Sequence, residues 1–306
     1  MPDVFFTSSP HWGAYIVLYF FVGGIAGGTF FLAGLLHLAG RPEDGPAVRA
    51  GYGVALAGAV LSGLLLTLDL TKPARFWHML FQSNTGAPML KSWVPMSVGA
   101  WALLGFGAVA LLAALGALGE ARPDRWKRAA FLARGVPGAL LAVLACGLGL
   151  FLAGYTGVLL AVTSRPVWAE SNWLGALFLL SGVSTGIATL LLLRRRTGQV
   201  PATTEWLVRL DRRLLWLELA TLAAFLWSLR PVFDLWVGWA GAVLGLGVVG
   251  AGIIAPLALE LRSPPRTGRI SRAAVLVLVG GLLLRIAVVA VSSGVYASGA
   301  GVTGNP

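Results

Sequence analysis

Apolar stretches long enough to cross a bilayer recur along this chain, and short polar connections separate them. A spanning helix needs roughly 20 predominantly apolar residues to cross about 30 Å of hydrocarbon. Such segments fall at roughly residues 13–39, 51–69, 93–118, 135–161, 173–193, 214–230, 235–259 and 273–295. Only helices and closed barrels satisfy their backbone hydrogen bonds in lipid, and a barrel would show strands of about ten residues with alternating polarity. No such alternation is present, so the expected fold is all-α. It is a polytopic membrane protein of about eight transmembrane helices, with residues 1–306 forming one integral membrane domain. Composition agrees: 57% of residues are hydrophobic and 11% charged, and a mean hydropathy of +0.82 is too high for a soluble domain of this length.

The net charge of +11 does not point to nucleic acid, because the basic residues sit almost entirely in loops flanking the apolar spans. Arg41 and Arg49 follow the first span. Five more basic residues lie between Arg122 and Arg134, six between Arg194 and Arg213, and four between Arg262 and Arg272. These seventeen share one side. The other side has five: Lys72, Arg75, Lys91, Arg165 and Arg230. The positive-inside rule then places both termini and the loops at 70–92, 162–172 and 231–234 outside the cytoplasm, and an even span count agrees by putting both termini on one side. The opening MPDVFFTSSPHW lacks the basic region and short apolar core of a cleavable signal, so no cleavage is expected.

A single cysteine, Cys146, lies mid-span, which leaves no disulfide and no thiolate cluster for zinc or iron–sulfur. Small residues repeat at four-residue spacing in the first and fifth spans, as Gly23, Gly24, Gly27 and Gly28 and as Gly182 and Gly186. Faces of this kind let helices approach closely. Their matching positions hint at two similar four-helix halves.

Ionisable groups within lipid are costly, so each one retained needs a partner or a purpose. The densest cluster is TLDLTKPARFWHML, residues 67–80, which holds Asp69, Lys72, Arg75, Trp77 and His78. One reading is a snorkelling helix end with Trp77 in the aromatic belt. Against it, three of the five basic residues on that side fall in this one loop, where topology should deplete them. A second group is GYTGVLLAVTSRPVW, residues 154–168, with Tyr155 and Thr156 in the outer half of the fourth span and Arg165 and Trp168 at its mouth. Tyr155 is either a belt residue or a donor to a buried carbonyl oxygen. The flanking Gly154 and Gly157 point to something packed close. His11, Tyr15 and Tyr19 lie at the same depth, and the two tyrosines are one helical turn apart.

These residues resemble the quinone-interacting membrane subunit of polysulfide reductase and its relatives, the NrfD or PsrC family. The resemblance is carried by YFFVGGIAGG, DLTKPARFWHML, KSWVPMSVGAW, GYTGVLLAVTSRPVW and LGALFLLSGVSTG, in the family's order and spacing. It covers residues 1–195 best and residues 196–306 more loosely. It implies eight helices in two four-helix bundles, in the cytoplasmic membrane of a bacterium or archaeon. It further implies a subunit that anchors a ferredoxin-like four-cluster iron–sulfur protein and a molybdopterin catalytic subunit, and that passes electrons between cluster and menaquinone or ubiquinone. Tyr155 matches the family's quinone-contacting tyrosine. Tyr19 falls where some members have a quinone-binding histidine.

The expected quinone site therefore takes Asp69, His78 and Tyr155 as the reacting groups. His11, Tyr15, Tyr19, Lys72, Arg75, Trp77 and Arg165 line the headgroup pocket or the partner surface. In the later spans Glu218 and Arg285 have opposite sign and are expected to pair. With Asp234 and Glu260 they alternatively mark a proton path. No metal is expected in this chain, and no haem: a di-haem anchor needs paired histidines across the bundle, and only His11, His37 and His78 are present. Two other functions suit glycine-rich polar helices, a transporter and an anchor without a quinone site.

Overall fold

Among the described residues eight long helices carry the structure, and each begins or ends where the sequence interrupts an apolar run. The computed structural model describes residues 12–163, 167–230, 236, 238–261 and 267–299, with side chains in the last segment to Val291. His11, Arg165 and Asp234 lie outside the described residues. The helices are α1 (Ala14–Ala39), α2 (Gly45–Asp69), α3 (Pro95–Ala121), α4 (Gly135–Ala161), α5 (Trp173–Thr197), α6 (Pro201–Ser228), α7 (Trp239–Leu261) and α8 (Thr267–Gly299). Pro95 and Pro201 stand at the first turns of α3 and α6, where a missing N–H costs nothing. Gly198, with φ +71°, ends α5 by donating its N–H to Arg194 O. The middle of α7, Val243–Ile254, winds in wide π turns. No strand forms among the described residues; the one β-bridge joins Phe81 to Pro88 in the loop after α2.

Seven of these helices are long and apolar enough to cross a membrane. The exception is α6, expected over 214–230 but already helical from Pro201. Its first half is too charged to register as an apolar span. It is helical because its buried residues, Thr203, Thr204, Leu207, Val208, Asp211, Leu215, Glu218, Leu222 and Phe225, recur at three- and four-residue spacing.

Helices α1–α4 pack as one bundle and α5–α8 as a second, and α1 touches α2, α4, α5 and α8. Lipid offers no hydrophobic drive between helices, so close van der Waals contact must hold them together. The glycine repeats supply it. A Cβ on Gly28 would overlap the carbonyl of Gly182, and one on Gly186 would lie 2.7 Å from the Gly28 carbonyl carbon. The two glycine faces thus meet each other, and their meeting joins the bundles.

We call the end where α1, α3, α5 and α7 finish the basic end, and the other the far end. The basic end is stitched by polar contacts between elements. Thr203 Oγ1 donates to Asp44 Oδ1, and Arg194 Nη2 donates to Thr267 O (2.9 Å) and Ser271 Oγ (3.2 Å). Direct ion pairs among the described residues, Arg41–Glu43 and Arg134–Glu120, are exposed and contribute only about 0–1 kcal/mol each. Gly28→Val is expected to destabilise the protein by about 1–3 kcal/mol through overpacking. Gly63→Val, where no atom lies within 4 Å of the added Cβ, should change little. Thermal unfolding in detergent distinguishes the two.

Candidate functional site

Two of the expected tyrosines come together near the far end. Tyr155, two turns before the end of α4, lays its ring on Gly99 of α3, where any side chain would collide with it. Its hydroxyl donates a 2.6 Å hydrogen bond to Pro95 O in the first turn of α3, and Phe151 stacks on it at 5.4 Å. The acceptor is therefore a main-chain carbonyl of the protein itself. The flanking glycines serve another helix: a Cβ on Gly157 would overlap Leu174 O, and Gly154 lies against Leu179, both on α5.

Tyr19 of α1 is buried and within electrostatic reach of Tyr155. No hydrogen-bond partner for its hydroxyl is found among the described residues. Ser62 of α2 lies beside Gly23 on the same side of α1 as the Tyr19 ring, and its Oγ is buried without a partner among the described residues. Thr156 Oγ1, next in sequence to Tyr155, is also buried and, among the described residues, unpartnered. These hydroxyls sit in an apolar setting where an unmade hydrogen bond costs about 1–3 kcal/mol. Ser62 was not identifiable from the sequence; a lone serine in AVLSGLLL reads as an ordinary small residue of a packed helix.

The other expected groups line the rim. Asp69 ends α2 and is exposed, as are Lys72, just before the 3-10 turns of residues 73–79, and Arg75 and Trp77 within them. His78 stacks on Trp77 (3.8 Å, 23°) and its Nδ1 bonds Arg75 O (3.0 Å). Tyr15 is half-exposed. The rim and the tyrosines share one support. Met89 O accepts hydrogen bonds from Ser97 Oγ (2.9 Å) and Trp101 Nε1 (3.2 Å), which fastens the loop to the same first turns of α3 that hold Tyr155. Trp168, expected at the mouth, is instead fully buried, donating from Nε1 to Val288 O of α8.

Arg285 of α8 is fully buried where α1, α5, α6 and α8 meet. It donates to Phe20 O (3.1 Å), Ser181 Oγ (3.0 Å) and Gly281 O (2.7 Å). Glu218 is within electrostatic reach of Arg285 but makes no direct ion pair with it; Ser181 stands against both. The third histidine, His37, is occupied on both ring nitrogens, by Tyr52 Oη and Ala133 O at 3.0 Å each. Among the described residues no group of three or more His, Cys, Asp or Glu is placed to hold a metal.

Tyr155→Phe should cost about 1 kcal/mol by removing one hydrogen bond to the main chain. Gly99→Val should cost more, because it expels the ring. Thermal unfolding of the two variants checks the order.

A family model described as Polysulphide reductase, NrfD matches residues 4–296. Protein NrfD of Escherichia coli (strain K12) is 30% identical over 284 residues, covering 84% of the present sequence and 86% of that protein. The C subunit of polysulfide reductase from Wolinella succinogenes is 27% identical over 311 residues, covering 90% and 91%.

Proposed function

Because the chain belongs to the polysulphide reductase NrfD family, we propose that it is the membrane anchor of a multisubunit respiratory oxidoreductase and carries that complex's quinone site. The observation that carries this reading is that Tyr155 lies within electrostatic reach of Tyr19, a buried tyrosine whose hydroxyl lacks a partner among the described residues, beside an exposed basic loop. A quinone presents carbonyl oxygens, which accept hydrogen bonds. Hydroxyl donors in a dry pocket are the groups that bind it and strengthen their hold as charge develops on oxygen.

In this reading Tyr19, Ser62 and Tyr155 hold a quinone carbonyl, and Tyr155 exchanges Pro95 O for it. Asp69 and His78, at the wet rim, transfer protons to or from the bound headgroup. Lys72 and Arg75 stabilise negative charge on it or dock the partner. Reducing a quinone takes up two electrons and two protons. The electrons come from an iron–sulfur subunit of the ferredoxin-like four-cluster type, seated on the same loops, and a molybdopterin subunit handles the terminal substrate. Menaquinone and ubiquinone both fit this donor set. One relative is named as a single lettered component of polysulfide reductase, which supports a place among several subunits.

The test is purification of the complex from membranes. An iron–sulfur subunit and quinone are expected to co-purify, and Tyr155→Phe, Tyr19→Phe or Asp69→Asn to lower quinone turnover by about 10²-fold or more in at least one case, with assembly intact. Unchanged turnover in all three would leave a passive anchor. A lone chain that moves solute across liposomes would make it a transporter.

A further inference from the structure

Where α1 hands over to α2, the chain leaves a hollow at the basic end for which the quinone site has no use. It is a cavity of about 320 Å³ between the last turns of α1, the 3-10 turn Pro42–Asp44 and the start of α6. That volume falls in the range of small-ligand pockets, about 300–1,000 Å³. Its floor is apolar, formed by Leu35, Leu36 and Ala39 of α1. Its rim is charged, with Arg41 and Glu43 from the turn and Glu205 and Arg209 from α6.

Internal bonds hold the walls in place. Asp44 is buried and both of its oxygens are engaged: Oδ2 accepts from Arg41 N (2.8 Å) and Oδ1 from Thr203 Oγ1. One carboxylate thus ties the exit of α1 to the first turn of α6. It also caps the N-terminus of α2, whose dipole favours its charge. Gly40 lines the cavity too, and a Cβ on it would overlap Leu36 O and lie 2.9 Å from Asp44 Oδ2.

The charges of the rim fall into two sets. Arg41 Nη1 donates to Glu43 Oε1 (3.3 Å), so these two offset each other. Glu205 and Arg209 are exposed, one turn apart on α6, and their side chains make no hydrogen bond or ion pair among the described residues. Trp206, between them in sequence and half-buried, has an indole N–H without an acceptor among the described residues. The cavity therefore offers one cation with a neighbouring N–H donor and one anion, above an apolar floor. A phosphate matches Arg209 and the Trp206 N–H. An ammonium matches Glu205, and hydrocarbon matches the floor. A purely anionic headgroup would satisfy the arginine but leave Glu205 facing a like charge, with Asp44 behind it. Position agrees: the apolar span of α1 ends at Ala39, so the floor lies in its last turns and the rim just beyond them. Polar pockets between spanning helices at this level suit phospholipid headgroups.

We propose that this cavity is a phospholipid site selective for a zwitterionic headgroup, a phosphodiester that carries a primary ammonium. Arg209 and Trp206 hold the phosphate, Glu205 holds the ammonium, and the glycerol end turns toward Leu35, Leu36 and Ala39. Because α1 belongs to the first bundle and α6 to the second, the bound lipid bridges the bundles at the basic end. A soluble phosphoamine would satisfy the rim and leave the floor bare.

The test is native mass spectrometry of the full chain, delipidated in detergent and titrated with phosphatidylethanolamine or with phosphatidylglycerol of the same acyl chains. Phosphatidylethanolamine is expected to bind one site at least about tenfold more tightly than phosphatidylglycerol. Arg209→Gln should weaken it by about tenfold or more, and Glu205→Gln should bring the two lipids level. Arg128→Gln, at an exposed basic residue between α3 and α4, should change neither. Equal affinities in the wild type, or a preference that survives both α6 variants, overturns the site. A loss in Arg128→Gln as large as in Arg209→Gln makes the effect one of net charge and overturns it too. Glycerophosphoethanolamine, the same headgroup without acyl chains, separates the two sources of phosphate. Binding at least about tenfold weaker than the lipid supports the proposal, and equal binding overturns the lipid in favour of a soluble phosphate ester. Both substituted α6 side chains are exposed, and unchanged thermal unfolding confirms that the variants fold.

Discussion

A full positive charge stands at the junction of the two bundles, and its neighbours are shaped around it. Arg285 is completely buried, in a setting where an isolated charge costs several kcal/mol. The cost is offset by three oxygen acceptors contributed by three different helices. The faces of Phe178 at 5.2 Å and Phe21 at 6.0 Å add further stabilisation. Gly24 leaves room for it: a Cβ there would sit 2.7 Å from Arg285 Nη2, so the guanidinium would have to shift. One side chain thus ties together α1, α5 and α8, with the acid of α6 within electrostatic reach.

Much of this architecture is legible in the sequence because lipid makes polarity a strong local signal. Seven helices follow from apolar windows, and the glycine repeats announce a close contact, though not that the two repeats would meet each other. What escapes is cooperative. The first half of α6 hides its helix under charges that only tertiary packing buries. Asp211 reads as one more charge in VRLDRRLL until α5 and α7 close over it. Glu218 and Arg285 have the signs of an ion pair, yet a serine stands between them, which no spacing could reveal. Tyr155 is recognisable as a donor, but its acceptor is a carbonyl sixty residues away in another helix.

The two ends of the molecule have different physical characters. At the far end, exposed cations, a stacked histidine and a buried tyrosine pair share the first turns of α3. At the basic end, Arg194, Arg212 and Asp44 are tied to main-chain carbonyls or to hydroxyls of neighbouring elements. A surface of the first kind suits exchange with another molecule. The second suits a fixed frame.

The bond from Arg285 to Phe20 O spans 265 residues, which bears on how the protein is made. Its acceptors lie on α1 and α5 as well as on α8 itself, so the socket can be complete before α8 leaves the ribosome. A helix carrying an unpartnered arginine enters lipid at a cost of roughly 2.5 to 3.5 kcal/mol, and docking into a finished socket relieves it. Helix α8 therefore acts as a closing bolt between the first helix and the fifth. A ribosome that stalls before α8 leaves α1 and α5 in contact through their glycines but with an open seam.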